Sequence, residues 1–183
     1  MWGRPSSPMK LSKTVCKAFG ADKRGAAALE FALVAAPLIM LICGCLELAL
    51  IILLSVTLDN ATDMTAREIR TGITTQANST ATSFKQEICS RMGWLGGSCM
   101  SQLMVDVQTY PTFANVPTTD LIANGKLQTS NFVYNIGVGA KIQMVRAYYD
   151  WPLITPFLDA GLSTLSNGDA VVSAKAVFRN EPF

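Results

Sequence analysis

A chain of 183 residues has room for one compact domain and some extra segments. It is 50% hydrophobic and 15% charged, below the roughly 25% charge of soluble domains, so the apolar excess must be concentrated somewhere. It contains no histidine, which excludes Ser-His-Asp and Cys-His catalysis and removes the commonest zinc ligand.

Charge is unevenly placed. Residues 1–24 carry Arg4, Lys10, Lys13, Lys17, Lys23 and Arg24 against Asp22 alone, a net of +5, and the remaining residues carry −3. A basic leader directly before an apolar segment predicts retention on the cytoplasmic side of a membrane. It argues against a nucleic-acid arm, and no nucleic-acid partner is expected. The leader mixes Gly, Pro, Ser and Lys without an apolar stripe and reads as disordered or weakly helical.

Residues 31–46 are uninterrupted apolar, and 48–56 continue the run past Glu47. Between residues 26 and 58 the only acids are Glu30 and Glu47. As a helix this stretch would reach roughly 50 Å, more than the ~30 Å hydrocarbon core of a bilayer. A soluble helix of that length would show a polar face. A transmembrane helix is therefore predicted, kinked near Pro37, continuing out of the lipid towards a stop at Gly72. Glu47 falls near the far headgroups and is read as an interface residue.

A polar linker, TTQANSTATS, follows. A short helix is predicted next, with Ser83 and Gln86 as a capping box and Phe84, Ile88 and Met92 on one face. Gly93, Gly96 and Gly97 end it. Leu103, Val105 and Val107 alternate with Asp106 and Gln108, the period of a half-buried strand. Residues 141–149 are strand-like but alternate less cleanly. In 170–179, Val172, Ala174, Ala176 and Phe178 face one way, and Ser173, Lys175 and Arg179 the other. Between these two strands, Pro152 and Pro156 forbid a central strand in WPLITPF. The expectation is an α+β fold: a leader at 1–25, a membrane helix at 26–58, and at 59–183 a domain with a short helix and an antiparallel sheet. Asp106, Asp120, Asp150, Asp159 and Asp169 are scattered, without metal-ligand spacing or a phosphate-cradling glycine loop. No catalytic residue, metal or cofactor is expected.

An acid close to the start of a membrane helix is costly, about 2.5–3.5 kcal/mol at mid-helix and less towards the interface. If the chain were cut after Gly25, Ala26 would carry a new amine and Glu30 would lie one turn inside. The carboxylate of one subunit could then neutralise the amine of another. On position alone, Glu30 resting at the interface without a partner is equally possible.

Lys23-Arg24-Gly25, a fifth-position Glu30, aromatic Phe31 and a long apolar helix resemble the leader of prepilins. RGAAALEFALVAAPLIMLICGCLELAL is more closely similar to the start of TadE-like pseudopilins, minor subunits of the bacterial tight-adherence (Tad, or Flp) pilus system. YYDWPLITPF and the closing AVVSAKAVFRNEPF are similar to the ends of such proteins. The main pilins of that system have Tyr after the Glu and a far smaller C-terminal domain, so Phe31 and the larger domain imply a minor role. The resemblance implies a single-pass protein of the bacterial inner membrane, with its N-terminus cytoplasmic and its C-terminal domain periplasmic. It implies cleavage by prepilin peptidase between Gly25 and Ala26, with Lys23, Arg24 and Phe31 flanking the site. Glu30 becomes the assembly carboxylate, and the partners are other pilin or pseudopilin subunits and the assembly machinery. The alternative is an uncleaved single-span protein with a periplasmic binding or sensing domain.

An oxidising periplasm would allow Cys89 and Cys99 to form a disulfide across the Gly-rich turn, with about 2–3 kcal/mol for so short a loop. Cys16 is expected to be reduced, and Cys43 and Cys45 to behave as small hydrophobes in the helix.

Overall fold

The computed structural model describes residues 25–183; Cys16, Lys23, Arg24 and the rest of the basic leader lie outside the described residues. One helix, α1 (Ala26–Arg70), contains the whole apolar run and extends beyond it. It is helical through Pro37. Arg67 and Arg70 occupy its last turn, where cations oppose the negative end of the helix dipole. Gly72 then adopts a left-handed conformation at φ +76°, and its N–H donates to the Ile69 carbonyl at 3.1 Å, which closes the helix as glycine commonly does.

The chain divides into two compact units between Ile42 and Cys43, within α1. Among the described residues of the first unit the large apolar side chains are exposed, Phe31 at 74% and Val34 at 68%. In the second, Leu54, Leu58, Ala61, Thr65 and Ile69 are buried at helical spacing, and all but Thr65 belong to the hydrophobic core of the domain.

The linker leads to α2 (Ala81–Arg91). The predicted capping box is shifted by three residues. Thr80 is the cap, its hydroxyl accepting from the Ser83 N–H at 3.2 Å, while Ser83 Oγ accepts from the Thr80 N–H at 2.9 Å. Ser83 thus supplies the reciprocal bond in place of Gln86, and helix formation starts one turn earlier than expected. Phe84, Ile88 and Met92 are buried as the spacing predicted. A Gly-rich 3-10 segment (Gly93–Ser98) and a single turn, α3 (Cys99–Gln102), deliver the chain to the first strand.

The main sheet is antiparallel, with β1 (Leu103–Tyr110), β4 (Ile142–Trp151) and β5 (Ala170–Arg179) in the order β1-β4-β5. In register, Val105 opposes Ala147, which opposes Ala174. Leu103, Val105 and Val107, with Val145, Ala147, Tyr149, Val172 and Ala174, form the sheet side of the core shared with α1 and α2. The fold is α+β, a long helix and a short one against an antiparallel sheet.

The opposite face of the sheet departs from expectation. The chain between β1 and β4 folds back over it, including a small hairpin of β2 (Ile122–Ala123) and β3 (Lys126–Leu127). The hairpin turns through Asn124 and Gly125, at φ 52° and 66°, the pair suited to a two-residue turn with both residues left-handed. Phe132 stacks on Tyr148 with ring centroids 5.5 Å apart. Asp106, expected on a solvated face, is fully buried under this cover. One carboxylate oxygen accepts from the Val133 N–H and Gln108 Nε2, both at 2.8 Å, and the other pairs with Arg146 Nη2 at 2.6 Å. β4 is covered on both faces, which is why its sequence does not alternate cleanly. A short turn, α4 (Asp159–Leu162), lies between β4 and β5.

Candidate functional site: the start of α1 and the Glu47 clamp

Gly25 immediately precedes α1 and is exposed, and Ala26 is its first residue. A Cβ added at Gly25 would meet nothing within 4 Å, so the bond after Gly25 is sterically open on the side of the described residues. Ala26 and Glu30 lie four residues apart, on one helix face. Glu30 is exposed, and the ion pairs among the described residues use other acids. Phe31 projects beside it. One turn of helix therefore presents a carboxylate amid an apolar surface, next to an accessible Gly-Ala bond.

Cys89 and Cys99 are joined as a disulfide with Cα atoms 5.7 Å apart. The bridge pins the last turn of α2 to α3 across the glycine-rich segment, with Cys99 fully buried. Among the described residues, Cys43 and Cys45 are free.

The second acid of the apolar run behaves unlike Glu30. Glu47 is only 2% exposed. Its two carboxylate oxygens accept from the backbone N–H groups of Ile154 and Thr155, at 2.5 and 2.9 Å. The expected interface acid is thus a clamp that grips the proline-containing loop between β4 and β5. Pro152 and Pro156 keep this segment out of the sheet, which leaves its amides free to seek another acceptor. On the same stretch of α1, the Phe157 ring and Leu158 lie over Gly44, 3.5 and 3.7 Å from where a Cβ would stand. Sequence reasoning missed this contact because the partners are 107 residues apart. The available signals were an acid within an apolar run and an unpaired, proline-flanked loop.

Some charged groups of the folded domain are shifted by burial or paired within it. At the end of β4, burial and then the nearby Asp169 push the Asp150 carboxyl above its ordinary range. Asp120 pairs with Lys175 at 2.6 Å, tying the cover of the sheet to β5. No group of three or more metal-ligating side chains occurs among the described residues.

The family model described as TadE-like protein matches residues 25–67. Over this stretch the chain is similar to TadE-like proteins. The matched segment contains the Gly-Ala bond, Glu30, Phe31, Glu47 and the stretch of α1 that enters the domain core. No curated protein and no solved structure matches the chain. The matched segment coincides with the one helix among the described residues that is long and apolar enough to cross a membrane, consistent with a single-pass membrane protein.

Proposed function

We propose that this chain is a minor pseudopilin in the assembly of a Tad (Flp) pilus. It is anchored in the bacterial inner membrane by α1, with its leader cytoplasmic and its sheet domain periplasmic. Prepilin peptidase removes the leader after Gly25, and the new Ala26 amine then meets the Glu30 carboxylate of a neighbouring pilin or pseudopilin subunit. The role is structural rather than catalytic.

The observation that carries this reading is the TadE-like match over a helix whose exposed surface between residues 26 and 56 is apolar except for Glu30. A carboxylate facing lipid is stabilised by an opposite charge brought within reach, and cleavage creates that charge one turn away. The sheet domain, with its edge strand β5 and exposed Val177, supplies surface for contacts with the assembly machinery.

Mass analysis of protein extracted from membranes is expected to show a chain that begins at Ala26. Glu30→Ala is expected to insert normally but to lower piliation at least about tenfold, since an unneutralised amine in lipid costs more than the 1.4 kcal/mol that a factor of ten represents. A chain that retains its leader in cells with active peptidase would refute the proposal and favour the uncleaved sensing domain. Unchanged piliation in Glu30→Ala would remove the carboxylate from the mechanism.

A further inference from the structure

The Glu47 clamp fastens an apolar loop to a lipid-facing helix. Residues 152–158, PLITPFL, carry no charge. Ile154 is 69% exposed and Phe157 50% exposed, yet their backbone is tied to α1 at Glu47, and Phe157 and Leu158 lie along the helix at Gly44. Beside this contact α1 exposes further large apolar side chains, Leu46 and Leu48. The loop therefore continues the apolar surface of the helix that enters the bilayer. Counted back from Glu47, about 20 residues of α1 span the ~30 Å hydrocarbon core, which brings Glu47 and the loop to one edge of it. Exposed Asp159, directly after the loop, suits the headgroup layer.

We propose that loop 152–158 is a second membrane anchor, held on α1 by Glu47, with Ile154 and Phe157 seated in phospholipid of the leaflet farther from the chain's N-terminus. The proposal rests on α1 crossing a membrane and is independent of the pilus reading. Irregular backbone beside lipid requires its polar groups to be satisfied within the protein. The carboxylate does this for two N–H groups, and the Thr155 carbonyl does it for the Leu158 N–H at 3.0 Å. Two anchoring points restrict how the domain can tilt and turn on the membrane surface.

The test uses the full chain in phosphatidylcholine nanodiscs at one copy per disc. Cys16, Cys43 and Cys45 are replaced by alanine, and a single NBD fluorophore is placed through Ile154→Cys, Val34→Cys or Val138→Cys. Val34 reports the membrane helix, and Val138 is an exposed domain position. A side chain 5–10 Å inside the headgroup boundary should be quenched by lipid doxyl groups near the glycerol at least about three times more strongly than the Val138 site, with iodide giving the reverse order. Phe157→Cys should repeat the result. If Val34 reports lipid while Ile154 and Phe157 report water, the anchor is refuted and the patch falls to a protein partner. If Val34 also reports water, α1 does not span and the anchor falls with it.

Discussion

Glu47→Ala tests the clamp most directly. The wild-type carboxylate is buried and accepts two backbone N–H bonds. Truncation leaves the amides of Ile154 and Thr155 without that acceptor, and a buried unsatisfied donor costs about 1–3 kcal/mol. Two such donors, less the desolvation regained by removing a buried charge, give a net loss of about 3 kcal/mol. The loss is local, because the loop can lift from α1 while the sheet stays paired. Amide hydrogen exchange on the full chain in nanodiscs is the suitable assay. A local opening made easier by about 3 kcal/mol speeds exchange at Ile154 and Thr155 on the order of a hundredfold. Amides of β4 such as Val145 should be nearly unaffected. Glu47→Gln keeps one acceptor oxygen and should fall between the two. Unchanged protection of Ile154 and Thr155 in Glu47→Ala would refute the reasoning.

Two further substitutions test the domain itself. Cys89→Ser opens a bridge with a sequence separation of 10 and should lower stability by about 2–3 kcal/mol through loop entropy. Thermal unfolding of the parent with and without reductant should reproduce the difference, and equal midpoints would refute it. Asp106→Ala strands the buried Arg146 guanidinium and should cost about 3–5 kcal/mol. The paired replacement Asp106→Leu with Arg146→Met should cost less in a denaturant titration, and an equal or larger loss would show that the pair contributes net stability.

Legibility in the sequence followed how locally each feature was determined. The capping box could be recognised by type but was placed one turn late, because Thr80 and Ser83 offer equivalent hydroxyls and only the backbone path selects the cap. The hairpin at Asn124 and Gly125 had its turn signal, but strands of two residues have no periodicity to detect. β5 could be read because one of its faces meets the core while Lys175 and Arg179 meet solvent. β4 could not be read as clearly, since both faces are covered and the selection for alternation is lost.

The sequence alone was enough to establish the long apolar helix, its TadE-like opening, the placement of Glu30, the partners in the Cys89–Cys99 bridge and the strand nature of 170–179. The helix and the strand depend on composition or on spacing within a few residues, whereas the TadE-like opening rests on a resemblance and the bridge on an oxidising compartment. Tertiary structure decided that Asp106 is an interior ion-pair partner and that Glu47 is a clamp rather than a free interface acid. Burial and the identity of an acceptor's donors depend on chain segments far away in sequence, and two carboxylates in one apolar run look alike until the fold brings, or does not bring, backbone amides to meet them.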